Sequence, residues 1–214
     1  MASGAKPPLY RVAAYIDGFN LYYGMREKGW RRYYWLNIQS LVRGLLREDQ
    51  NLAIIKYFTA LVSSTPSDPH KCRRQNAYLE ALGTLQGVQI LYGHYLEKSV
   101  KCFQCGGCWV DHEEKKTDVN IAVEMLTDAY EDRFDTALLI SGDSDLADLI
   151  RIIRSRFPQK WVVVAFPPAR HSDDLLKVAN RAFTIGRKKL ADSQFPDAVP
   201  KAEGYVLQRP AQWR

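Results

Sequence analysis

The sequence is sparing with the residues that most often carry ligand or redox chemistry: 214 residues include four Cys, four His and three Met. Three of the cysteines crowd into residues 102–108, so they do not make the spaced disulfide framework that staples small secreted domains. A reducing, cytoplasmic compartment is the expectation. No apolar run approaches the ~20 residues of a membrane-spanning helix, which argues against a membrane protein. The opening MASGAKPPLYR has no apolar core segment, so no secretory signal is expected. No internal repeat is visible.

What is present suits one domain of ordinary size, with 46% hydrophobic residues and a net charge of +6. A modest basic excess gains meaning if the acids are gathered at one site. The remaining surface is then more basic than the total and favours a polyanionic partner. Residues 1–9 read as a flexible leader, 10–186 as the domain, and 187–214 as a polar C-terminal tail or arm.

Within the domain, strand and helix patterns alternate. Strands are predicted at Arg11–Ile16, Leu52–Val62, Val88–Leu96, Thr136–Ile140, Trp161–Phe166 and Phe183–Ile185. Helices are predicted at Asn20–Lys28, Ile38–Arg47, Lys71–Leu85, over the stripe Val119, Ala122, Val123, Leu126 and Ala129, at Asp145–Arg156 and near 172–179. The cysteine-bearing stretch 98–116 reads as an irregular loop. Alternation of this kind predicts an α/β fold with a mostly parallel central sheet covered on both faces. Such sheets bind ligands at the carboxyl ends of their strands.

Carboxylates stand at those ends. Asp17 follows the first apolar strand directly. Asp143 and Asp145 follow the strand ALLI, and Asp118 opens a helix. Brought together, they would repel one another unless something positive sits between them. A hard divalent cation, Mg²⁺ or Mn²⁺, answers that need, and such an ion activates water and stabilises a phosphate in flight. Each acid alone also has a plainer reading. Asp commonly caps helix starts, which would account for Asp145 or Asp118, and Asp148 belongs to a solvated face.

Three blocks then point to a family. YIDGFNLYYG (15–24), EKKTDVNIAVEMLTDAY (114–130) and FDTALLISGDSDLADLI (134–150) resemble, in order and spacing, the signature blocks of the NYN domain in its LabA-like branch. The resemblance implies a three-layer, Rossmann-like (PIN-like) fold and a metal-dependent ribonuclease that takes RNA as substrate. It implies catalytic and metal-binding roles for Asp17, Asp118, Asp143 and Asp145. Asn20 matches the family asparagine, and Ser141 and Ser144 stand where hydroxyls orient a ligand or a metal-bound water. The blocks hold no histidine, so water activated by the ion is the expected nucleophile. The alternative is an RNA-binding regulatory module with this fold and little turnover. A phosphatase is disfavoured, because Asp17 is followed by Gly18, Phe19 and Asn20 rather than by a D-x-D-x-T block.

Basic and aromatic residues interleave in GWRRYYWLN (29–37), where Trp30, Tyr33, Tyr34 and Trp35 accompany Arg31 and Arg32. The rings either stack on unpaired bases or fill the core. Arg31, Arg32, Arg73, Arg74, Lys115 and Lys116 are the candidate RNA contacts, expected to flank the acids. Cys102, Cys105 and Cys108 lie at C-x2-C-x2-C with His112 four residues on. That spacing fits a structural Zn²⁺ with His112, His94 or Cys72 as fourth ligand, or else free thiols, with an iron–sulfur cluster using Cys72 a poor third. A homodimer is left open.

Overall fold

A computed structural model describes residues 9–101, 108–115, 117–202 and 204–214, with 94–101 and 108–115 described by backbone alone. The first half runs β1 (Tyr10–Asp17), α1 (Gly18–Glu27), a 3-10 turn (Arg31–Tyr33), α2 (Ile38–Leu45), β2 (Gln50–Thr59), α3 (Lys71–Gly83) and β3 (Val88–Tyr92). β4 (His94–Lys101) and β5 (Cys108–Lys115) follow, leading to α4 (Thr117–Tyr130). The second half runs β6 (Thr136–Ile140), a 3-10 turn (Ser144–Leu146), α5 (Ala147–Arg156), β7 (Trp161–Phe166), α6 (Asp173–Val178) and β8 (Arg181–Thr184). The chain closes with α7 (Arg187–Asp192), β9 (Ala198–Pro200), β10 (Val206–Gln208) and a 3-10 turn (Ala211–Trp213).

Six strands form one sheet in the order β3-β2-β1-β6-β7-β8, every neighbouring pair parallel. This is the three-layer α/β architecture expected from the alternating pattern. β1 pairs on both sides, so it is buried from Val12 to Asp17. Its side chains alternate between two cores, as a strand's period of two requires. Val12, Ala14 and Ile16 join the cluster packed by α1, α2 and α3. Ala13 and Tyr15 join the one packed by α4, α5 and α6.

Two sequence expectations are corrected. Residues 187–214 are not a polar tail. Leu190, Phe195, Val199, Leu207 and Trp213 are buried in the first cluster, and Trp213 packs against Tyr34, Trp35 and Tyr78. The apolar residues of this segment fall singly, so they show no period. Second, the stretch 98–116 is not irregular throughout. His94–Lys101 pairs antiparallel with Cys108–Lys115, from His94↔Lys115 to Lys101↔Cys108. The expected single strand Val88–Leu96 divides at Gly93 between the main sheet and this ribbon. Of the two readings of the aromatic run 29–37, the structure bears out core packing for Tyr33, Tyr34 and Trp35, which are buried. The Trp35 indole N–H donates to the Pro196 carbonyl at 2.8 Å. Their rings are spent on packing and offer no face to a base.

Among the described residues no helix is long and apolar enough to cross a membrane.

Candidate functional site

Strand order reverses between β1 and β6. β1 leads outward to β2 and β3, whereas β6 leads the other way to β7 and β8. Chains that part in opposite directions leave a crevice at the carboxyl ends of the two central strands. Asp17 ends β1, and Ser141–Gly142–Asp143 follows β6.

The carboxylate of Asp17 is 5% exposed and held from two sides. Its Oδ1 accepts from the Asn20 backbone N–H at 2.9 Å, which caps α1. Its Oδ2 accepts from the fully buried Ser141 hydroxyl at 3.0 Å. The same Ser141 Oγ accepts from the Asp143 N–H at 3.1 Å. Asn20 Oδ1 accepts from the Gly142 N–H at 2.9 Å. Asp143 in turn accepts from the Asp145 N–H at 3.0 Å and caps the turn that starts α5. Capping duty therefore falls on Asp17 and Asp143, not on Asp145 or Asp118, and it does not remove them from the crevice. The cap takes Oδ1 at each residue, and both line the crevice.

Asp17, Asn20, Thr117, Asp118 and Asp143 line one cavity of ≈ 220 Å³, together with Phe19, Tyr23 and Arg170. Asp118 stands in the first turn of α4. Its carboxyl is pushed above the usual range, first by burial and then by the negative charges of Asp143 and Asp145. Asp145 is exposed and does not line the cavity. It is near enough for its charge to be felt at Asp118. Ser144 is exposed, and Ser141 lies behind the wall rather than on it. Among the described residues, no three His, Cys, Asp or Glu side chains are drawn together as a closed metal cage. Three oxygen donors around an open cavity fit a hard ion that keeps several of its waters.

Arg170 was not singled out by sequence reasoning. It sits in the loop after β7, itself a carboxyl end of a parallel strand, but in no motif. Ala169 takes φ 58°, a left-handed conformation uncommon for a residue with a Cβ, and sends the chain back over the crevice. Arg170 then lies so close to Gly142 that a Cβ there would stand 2.9 Å from Arg170 Cβ. Gly142 does not have a positive φ, so close approach explains the glycine better than a tight turn. One arm of Arg170 donates to Glu27 at 2.6 Å. Its Nε is buried with no hydrogen-bond partner among the described residues.

The predicted basic flank is only partly here. Arg31 and Arg32 are exposed on the 3-10 turn and do not line the cavity. Arg73 is exposed on α3, while Arg74 pairs with Asp68 and borders an adjoining groove. The side chain of Lys115 and all of Lys116 lie outside the described residues. So do Cys102 and Cys105 and the side chains of Cys108, His112 and His94; the zinc reading thus rests on their spacing alone. Cys72 is a free thiol on α3.

Beneath α4 lies a buried polar cluster that was also missed. Lys56, 2% exposed on β2, donates to Asp128 at 2.5 Å and to Glu124 at 2.6 Å. The Tyr15 hydroxyl donates to the same Asp128 oxygen at 2.7 Å. A lysine interrupting the apolar run LAIIKYFTALV was the available signal, because a buried charge demands a partner. The cluster fixes α4, and with it Asp118, against the sheet.

A larger cavity of ≈ 690 Å³ lies at the opposite, amino-terminal ends of the strands. Its carboxylates are already paired, Asp49 with Arg47 and Asp135 with Arg11.

Comparison with known proteins bears on the family and the fold. The chain is 25% identical over 240 residues to 6-hydroxy-3-succinoylpyridine 3-monooxygenase HspA of Pseudomonas putida (strain DSM 28022 / S16), an alignment covering 95% of this chain and 75% of that protein. It superposes on the crystal structure of a protein of unknown function from Vibrio parahaemolyticus RIMD 2210633 with a TM-score of 0.56 at 22% identity, covering 91% of this chain and 100% of the other. That likeness concerns the fold. The NYN domain model matches residues 11–186, from the start of β1 to the end of the parallel sheet, with Asp17, Asp118, Asp143 and Asp145 inside the match. The chain belongs to the NYN domain family.

Proposed function

We propose that this protein is a divalent-metal-dependent ribonuclease of the LabA-like branch that hydrolyses RNA phosphodiester bonds. The observation that carries the reading is the cavity at the switch point, where Asp17, Asp118 and Asp143 face Arg170. Carboxylates crowded enough to raise the Asp118 pKa are a site prepared for positive charge. Asp17, Asp118 and Asp143 would hold Mg²⁺ or Mn²⁺, with Asp145 adding negative charge at the rim. When bound, the ion supplies Lewis acidity toward a phosphoryl oxygen and lowers the pKa of water.

The chain's own residues do the rest. Ser141 and the Asn20 N–H fix the orientation of the Asp17 carboxylate, so its charge needs no rearrangement when substrate arrives. Asn20 ties α1 to the turn at Gly142 and keeps Asp17 and Asp143 in one frame. Arg170 lines the same cavity, and its guanidinium can donate to a phosphate oxygen. The basic surplus of the chain, +6 overall, attracts the polyanion.

The test is cleavage of end-labelled RNA with Mn²⁺ and with EDTA. Cleavage in the first and none in the second supports the reading. RNA binding without cleavage in either would favour the regulatory alternative. The relative named as a monooxygenase acts, by its name, on a substituted pyridine. At 25% identity that name assigns no role to a residue of this chain.

A further inference from the structure

On α4 the charged residues point into the molecule and apolar residues point out. Asp118 lines the acid cavity, while Glu124 and Asp128 hold the buried Lys56. Ile121, Met125 and Ala129 fill the core-facing side. The exposed residues of the helix are Val119, Val123, Leu126, Thr127 and Tyr130, and none of them carries a charge. Val119 is 60% and Tyr130 82% exposed. Val119, Val123, Leu126 and Tyr130 follow one another at spacings of four, three and four. At 3.6 residues per turn they fall within about 60° of arc, on a stripe about 16 Å long. Ala122 and Thr127 flank the stripe with small side chains, so nothing bulky on α4 stands between it and an incoming helix. The Tyr130 ring meets Phe157 edge-on at 6.4 Å, which steadies it at the end of the stripe. Helix α4 thus has two apolar faces, one packed on the sheet and one open to solvent.

A contiguous exposed apolar stripe marks an interaction surface, and alternating spacings of three and four are the seam of a packed helix pair. The sizes of the side chains say what covers it. The first two, Val119 and Val123, are small; the last two, Leu126 and Tyr130, are large. A second copy laid antiparallel sets Val119 against the partner's Tyr130 and Val123 against the partner's Leu126. Every level of the seam then joins a small side chain to a large one, as close packing requires. A two-fold interface has to be self-complementary, and this stripe is. With no charge of α4 on it, association there buries no ion. The stripe also offers no cation to a phosphate, so RNA is not its occupant. We infer that this protein forms a two-fold dimer through α4, with the two helices antiparallel. A seam one helix wide buries less than the roughly 800 Å² per partner of standard complexes, which makes the dimer reversible, with a dissociation constant in the micromolar range. Asp118 directly precedes Val119, so the two acid cavities stand beside opposite ends of the helix pair. The inference rests on α4 alone and not on the ribonuclease reading.

The test is analytical ultracentrifugation of the full chain across the micromolar range. The mass rises from one chain to two with concentration. Val123→Glu and Leu126→Lys place good helix formers at exposed positions, so each monomer folds as before by circular dichroism. Each variant alone stays monomeric, its self-association weakened at least about 100-fold, because the seam would bury an unpaired charge. Mixed one to one, the two variants associate again. Only the antiparallel order sets the new carboxylate of one copy on the new ammonium of the other and keeps a native Val–Leu contact at the second crossing. A wild-type chain that is single at every concentration, or variants that dimerise as it does, overturns the proposal. A mixture that stays monomeric overturns the antiparallel order, and the proposal with it. Should either variant not fold, hydroxyl-radical footprinting of the wild-type chain decides. Tyr130 is oxidised in dilute samples and shielded in concentrated ones; equal oxidation in both contradicts the dimer.

Discussion

The Ser141 hydroxyl donates to Asp17 Oδ2 at 3.0 Å, joining the carboxyl ends of β6 and β1 at the point where strand order reverses. The same oxygen receives the Asp143 N–H, so one buried hydroxyl orients two of the cavity's acids. Ser141→Ala leaves the buried Asp17 carboxylate short of a donor. A loss of about 1.5–3 kcal/mol in stability is expected, the range for a hydrogen bond to a charged group, read from urea unfolding. Cleavage should fall as well, because Asp17 and Asp143 lose their common support. Unchanged stability and unchanged activity would show that Ser141 does not hold Asp17 in place.

Arg170 tests whether the cavity receives a phosphate. Arg170→Gln keeps length and hydrogen-bonding capacity but removes the charge. RNA affinity should drop, and the slope of log affinity against log salt should shrink by about 0.7, the share of one phosphate contact on a single strand. An unaltered slope would mean that Arg170 only offsets the neighbouring acids.

The cluster under α4 tests how Asp118 is positioned. Lys56→Met strands Asp128, 1% exposed, without its buried cation. Removing one partner of such a pair costs about 3–5 kcal/mol, whereas replacing both is far milder. Lys56→Met should therefore be strongly destabilised in a thermal or urea melt. Adding Asp128→Leu should recover part of the loss. A single variant as stable as wild type would deny the cluster any structural role.

The sequence made Asp17 and Asp143 easy to read, because each stands directly after an apolar strand and the strand's end is the binding edge of a parallel sheet. Asp118 was legible as the first acid of a helix, though not its proximity to the other two. Arg170 was illegible for a physical reason: its place depends on the left-handed turn at Ala169 and on the space left by Gly142, neither of which a lone arginine announces. The same holds for the rings. In sequence Tyr34 and Trp35 suited bases and core equally, and only the packing of Trp213 and Phe195 against them makes them core. Those two partners come from the segment 187–214, whose isolated apolar residues carry no periodic signal.

The central claim is that the carboxylates at the switch point recruit a cation for phosphodiester hydrolysis, and Asp143→Asn tests it most directly. Asn caps a helix about as well as Asp, so the turn before α5 is kept and like-charge repulsion on Asp118 is relieved. The variant should fold, melt no lower than wild type, and still bind RNA. Its Mn²⁺-dependent cleavage of labelled RNA should nevertheless collapse to the level seen with EDTA. Cleavage by Asp143→Asn at the wild-type rate would contradict the account.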